Sequence, residues 1–324
     1  MRNFVLAVVL SAVCALPTRA EESCSMQLER IAVVPFDTDE TEHIFVPVVL
    51  NGRSTRFMLD TGAFWSGIHE DLATSLKLKD RTSPYLILVD ASGTKIDRMV
   101  TVPGMKIGDA VFDTPIDLFV DHAPPERTIE QEGGVVGLNL LTHMDLEIDY
   151  AAKTISLFSQ KHCEGAGVHW ADEEVALKYT RAKPDIPMGT HIRRKTSEDQ
   201  IDFPIVGAEL EGELVRTLFD TGSTVTSIDL DHAKRRFGIG PGSPGVEPAG
   251  VAYLPSGKTV DLYSYTFKTL TISGITFENV PVHLGKFDES DLILGMHELK
   301  YLHLYFAFKD GIVHITGADA KHAQ

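Results

Sequence analysis

The chain has 324 residues, 43% of them hydrophobic and 23% charged, with a formal net charge of −16. Such a length suits about two globular domains of roughly 100–200 residues each. The acidic balance repels phosphate backbones and argues against a nucleic-acid partner.

Residues 1–20 read as a secretory signal peptide. Arg2 supplies the basic start, Phe4 to Leu16 an apolar run, and Thr18-Arg19-Ala20 the small residues a signal peptidase reads. The run is shorter than the roughly 20 residues a membrane span needs. Val13 is the wrong size for lipoprotein processing at Cys14. The expectation is export to a periplasm or the cell exterior, without stable membrane insertion. Removing this segment takes away Arg2 and Arg19 and makes the chain more acidic. It leaves Cys24 and Cys163, one before each of two repeats. Two cysteines in an exported protein usually pair. A bridge here would tie the halves together and close a loop of about 140 residues, contributing up to roughly 4–5 kcal/mol. The alternative is two free buried thiols.

The repeat has an offset of about 160 residues, and repeats decide architecture. The apolar strand Ile44 to Leu50, a turn at Asn51-Gly52 and the strand Thr55 to Leu59 predict a hairpin. Ile201 to Val206, Glu211-Gly212 and Leu214 to Phe219 predict a second. Each hairpin delivers an aspartate into Asp-Thr-Gly: Asp60-Thr61-Gly62-Ala63 and Asp220-Thr221-Gly222-Ser223. Short helices are predicted over Glu70 to Leu76 and Leu230 to Phe237. Hairpins with tips at Ser92-Gly93 and at Ser256-Gly257 come next, and mobility is expected of both. Each copy then reaches an apolar run with a glycine, at Val135-Val136-Gly137 and Leu292-Ile293-Leu294-Gly295, before a last strand pair. The stretch 161–200 reads as a junction, with strand character near Val175 to Tyr179.

One Asp-Thr-Gly is an ordinary turn. Two, each inside the same longer pattern, imply two carboxylates that meet. Carboxylates at hydrogen-bonding distance cannot both ionise cheaply, so the pair holds one proton. It then offers a base and an acid side by side, able to activate water against an amide carbonyl without a metal or covalent intermediate. Gly62 and Gly222 allow tight turns whose N–H groups point at the carboxylates. Thr61 and Thr221 carry hydroxyls able to lock the loops together. Ser223 offers Asp220 a hydroxyl that Ala63 does not offer Asp60. The expectation is that Ser223 donates to Asp220 and leaves Asp60 as the protonated partner.

These motifs resemble the retropepsin/pepsin superfamily of aspartic proteases. Leu59-Asp60-Thr61-Gly62-Ala63 is similar to the retroviral form and Phe219-Asp220-Thr221-Gly222-Ser223 to the pepsin form. The runs around Gly137 and Gly295 resemble the strand that threads behind the active-site loop. The resemblance implies a mostly β fold: two pseudo-twofold-related retropepsin-like β-barrel domains, at 21–160 and 201–324, with the active site at their interface. It implies a dyad of Asp60 and Asp220 with split ionisation, an interlock of Thr61 and Thr221, and flap tips at Ser92-Gly93 and Ser256-Gly257. It also implies an aspartic endopeptidase acting on a peptide or protein substrate, without a cofactor.

The chain departs from the family in three ways. Each half is short, so the chain reads as two retropepsin units fused, a monomer that carries a whole site. Val89 stands where pepsins carry a flap tyrosine, whereas Tyr253 lies in the second half. No pro-segment is evident. His283, His297, His303 and His314 match no compact metal pattern, and Phe64 and Trp65 suit a pocket or the core. A catalytically silent peptide-binding or scaffold protein on the same fold is the alternative.

Overall fold

The computed structural model describes residues 24–82, 86–89, 94–122, 128, 131–168, 170, 176–178, 190–192, 203–254, 256–286 and 291–318. The stretch 1–20, expected to be a signal peptide, and Ser92 and Gly93 lie outside them.

Each half is built on one hairpin. Ile44–Leu50 pairs antiparallel with Arg53–Leu59, and Ile205–Leu210 with Glu213–Phe219. The turn residues take positive φ in both copies: Asn51 48° and Gly52 78°, Glu211 52° and Gly212 78°. Two successive left-handed residues match the twist of the flanking strands, the usual two-residue hairpin solution. Alternate side chains of Arg53–Leu59 (Thr55, Phe57, Leu59) are buried, so one face of the strand is held in the core.

A second strand then threads behind the hairpin. Gly134–Val136 runs parallel to Arg53–Leu59 and antiparallel to Gly67–His69, which lies parallel to Ile116–Asp121. Leu292–Leu294 stands in the same relation to Glu213–Phe219, Ser227–Asp229 and Ile275–Gly285. The loop after each hairpin is thereby pinned from behind. Asp60 N–H donates to Val136 O and Asp220 N–H to Leu294 O, both at 3.0 Å. Short helices follow at Glu70–Ser75 and Leu230–Phe237, the latter ended by left-handed Gly238.

The halves are joined by a six-stranded sheet. Its order is Arg30–Pro35, Thr154–Phe158, Asp145–Asp149, Leu302–Ala307, Ile312–Gly317, Ala176–Lys178. Each half gives its last two strands, and the central seam pairs Ile148 with Leu304. Part of the junction is therefore structural: Ala176–Lys178 closes this sheet, and Thr190–Ile192 pairs with Leu86–Val89 of the first flap hairpin. Buried side chains form one large cluster reaching into both halves, from Val34 and Phe57 to Phe219 and Leu304.

Cys24 and Cys163 are disulfide-bonded, with 4.9 Å between their Cα atoms. Contrary to the expectation from sequence, the bond does not tie the two halves together. Arg30–Pro35, which follows Cys24, is already paired with Thr154–Phe158, which precedes Cys163. The bridge fastens the beginning of the first half to its own end, and the shared sheet makes the tie between halves.

Candidate active site

Each Asp-Thr-Gly loop is fixed by the other. Thr61 Oγ1 donates to Phe219 O and Thr221 Oγ1 to Leu59 O, each at 2.6 Å. The hydroxyl oxygens accept in return: Thr61 N–H donates to Thr221 Oγ1 and Thr221 N–H to Thr61 Oγ1, each at 3.1 Å. Both threonines are buried. The glycines are required by close approach. A Cβ on Gly62 would fall on the Asp220 carboxylate, and one on Gly222 on that of Asp60. Gly137 and Gly295 press in the same way against the backbone behind these loops.

The two carboxylates hydrogen-bond to each other. Burial pushes Asp60 above the ordinary carboxylate range, against the pull of Asp220 and of the backbone donors Gly62 and Ala63. Asp60 Oδ1 accepts from both of these N–H groups at 2.8 Å. Asp220 Oδ1 accepts from Gly222 N–H at 2.9 Å, whereas Ser223 N–H points to the main-chain oxygen of Asp220 at 3.3 Å. One shared proton is the state such a pair holds.

Ser223 does not act as its residue type led us to expect. Its hydroxyl donates to Val225 O at 2.9 Å and not to Asp220. Serine in a turn readily satisfies a carbonyl of its own loop. The asymmetry of the site lies elsewhere, in the residues flanking the dyad. Phe64 packs against Phe203 of the other half, with tilted rings whose centroids are 5.7 Å apart. The equivalent positions, about 160 residues away, are Thr224 and His43, and there Thr224 Oγ1 lies 3.2 Å from His43 Nε2. Sequence reading missed His43. The signal was available, because aligning the halves sets His43 against Phe203 and Phe64 against Thr224.

The two hairpins expected to act as flaps are built unequally. In the second half Glu247–Tyr253 pairs with Thr259–Ile272, and Gly257 N–H closes the tip on Leu254 O at 2.8 Å. The tip comes near the first half, where a Cβ on Gly257 would touch the His122 ring. Ser256 lies beside it, and Tyr253 is 62% exposed at the hairpin's end. In the first half Leu88 and Ile96 of the flap strands pack with Trp65, Met99 and Phe119. Trp65 Nε1 donates to Asp117 O at 2.8 Å, so Trp65 ties the flap base to the dyad loop. Among the described residues no group of three or more His, Cys, Asp or Glu side chains could hold a metal ion.

Two β-rich halves related by a pseudo-twofold axis, with one carboxylate from each meeting at the interface, define the aspartic protease class. The sequence matches the family described as "Aspartyl protease" twice, over residues 46–140 and 206–297, together more than half of the chain. The chain belongs to that family. None of the curated proteins compared matches it. Among solved structures it is similar to an aspartic proteinase from Irpex lacteus at 12% identity and a TM-score of 0.49, covering 90% of this chain and 98% of that one.

Proposed function

We propose that this chain is an exported aspartic endopeptidase. The observation that carries the reading is the hydrogen-bonded pair Asp60 and Asp220, delivered by matching loops and locked by Thr61 and Thr221. A peptide lying extended between the halves, beneath the hairpins, would be held largely through its backbone. The ionised carboxylate takes a proton from a water between the pair as the water oxygen attacks the scissile carbonyl. The protonated carboxyl gives its proton to the carbonyl oxygen. The resulting diol collapses as the amide nitrogen takes a proton and the C–N bond breaks. A carboxylic acid and an amine leave, and the dyad regains one proton. Both aspartates come from one chain, which supports a monomer. The Cys24–Cys163 disulfide supports an oxidising compartment, hence a periplasm or the cell exterior.

The test is cleavage of a mixed peptide library from about pH 3 to pH 8, with and without a pepstatin-type inhibitor. Asp60→Asn and Asp220→Asn should each abolish turnover. Turnover that survives both substitutions would falsify the assignment. A folded chain with no turnover at any pH would instead be a peptide-binding scaffold.

A further inference from the structure

His43 lies just before the strand Ile44–Leu50. Continuing the Phe45–Met58 register two residues further puts it opposite Asp60 across the hairpin. Its partners fix which nitrogen holds the proton. Asp39 Oδ1 accepts from Thr41 N–H at 2.9 Å, from Thr41 Oγ1 at 2.6 Å and from His43 N–H at 3.1 Å. The Thr41 hydroxyl hydrogen is thus committed to a carboxylate, which only accepts. Its lone pair faces His43 Nδ1 at 2.9 Å, so Nδ1 carries a proton. Nε2 then faces Thr224 Oγ1 in the opposite half. Neutral His43 accepts there from the threonine. Charged His43 donates to it. The contact survives both states, because a hydroxyl can do either.

The counterpart on the other side of the pseudo-twofold axis is apolar. Phe203 occupies the place of His43, and Phe64 that of Thr224. The dyad is therefore flanked by a titratable ring on the Asp60 side alone. Among the described residues, charged groups facing that ring include Asp39 in its own turn and Asp60. Glu42, its neighbour, is engaged instead with Tyr150 and Lys300.

We propose that His43 is a positioning residue of the dyad: anchored by Asp39 and Thr41 and clasped to Thr224, it stands beside Asp60 and, when protonated, favours the ionised carboxylate. The inference rests on the protease reading and adds to it a group that helps to set the acid side of the activity. Burial raises Asp60, and the charge of His43 is among the influences that oppose it. Opposite charges a few ångströms apart shift a carboxyl by about one pH unit or more.

The test uses His43→Gln, which keeps a hydrogen-bonding side chain and removes the charge. The acid limb of the kcat/KM profile should move up by about one pH unit, with about tenfold less activity on that limb and a plateau near that of the unaltered chain. A purely structural role would lower the whole profile without moving the limb, and that result, like superimposable profiles, overturns the proposal. A second measurement needs neither turnover nor that variant. The His43 ring is titrated by NMR in the unaltered chain and in the double variant Asp60→Asn with Asp220→Asn, because the single variant would leave Asp220 ionised and the net charge of the pair unchanged. Loss of the dyad charge should lower its midpoint by about one pH unit; an unchanged midpoint overturns the proposal. If the unaltered chain cleaves nothing, the protease reading fails, and the NMR titration still decides whether His43 and the dyad are coupled.

Discussion

Thr61 and Thr221 exchange hydroxyl hydrogen bonds across the molecule, each reaching the carbonyl that precedes the other's aspartate, Phe219 O and Leu59 O, at 2.6 Å. These bonds join the halves at the point where the dyad is assembled. Thr61→Val keeps the volume but strands the Phe219 carbonyl and the Thr221 N–H in a buried place. Each buried polar group left unmet costs about 1–3 kcal/mol, which urea unfolding will read. Catalysis should suffer more than stability, because the dyad spacing depends on the same bonds. Thr61→Ser, which restores the hydroxyl, should recover most of both.

Gly62 and Gly222 give a sharper outcome. The added methyl of Gly62→Ala would occupy the space of the Asp220 carboxylate. The loop is half-buried and no core strand moves with it, so the variant should fold. Displacing a catalytic group by about 1 Å can cost about 10²-fold, and kcat/KM should fall by at least that much. Near-normal activity in Gly62→Ala would mean that the two loops stand further apart than described.

Ser223→Ala should leave the shape of the pH–rate profile in place. The hydroxyl is spent on Val225 O. Its loss removes one local hydrogen bond, about 1 kcal/mol, and no ligand of Asp220. A shift of either limb in this variant would restore the direct role that the residue type first implied.

The contrast shows what the sequence made legible. Both hairpins, both aspartates and both threading runs are marked by local patterns that occur twice at one offset, so each copy supports the other. The direction of the Ser223 hydroxyl is not marked, because the aspartate and the loop's own carbonyl lie within reach of a turn serine. The shared sheet is not marked either. Asp145–Asp149 and Leu302–Ala307 each read as strands, but nothing local says that Ile148 pairs with Leu304. His43 hides for a third reason: it matters by differing from its counterpart Phe203, and a search for similarity passes over differences.

A second histidine makes a prediction about stability. His69 is buried between Asp121, 2.5 Å from Nδ1, and Glu132, 3.2 Å from Nε2. The second contact is an ion pair without good hydrogen-bond geometry. Burial alone would lower His69, but the two carboxylates outweigh it and push it up to about 10. The unfolded value is about 6.5. The stabilisation is therefore complete below about pH 6.5 and is lost as pH rises through about 10. Unfolding free energy measured across that window should decline in the unaltered chain. His69→Gln should be less stable by about 3–5 kcal/mol at neutral pH, because buried Glu132 and part-buried Asp121 lose their counter-charge. Its stability should also change less over the same window. A parallel decline in both proteins would exclude His69 as its source.

The disulfide separates stability from catalysis. Cys24 and Cys163 are 139 residues apart in sequence. Their segments meet without the bond: Ser25 bridges to His162, Cys163 N–H donates to Ser25 O at 2.8 Å, and Arg30–Pro35 pairs with Thr154–Phe158. None of these residues supports Asp60 or Asp220. Opening the bridge chiefly frees the unfolded chain, since a loop of that length holds about 4–5 kcal/mol in the loop-entropy model. Cys24→Ser with Cys163→Ser should therefore unfold at lower urea by up to that amount, while the fraction that stays folded keeps its kcat and its pH profile. A drop in kcat under conditions where the double variant is fully folded would show that the bridge reaches the dyad through the shared sheet.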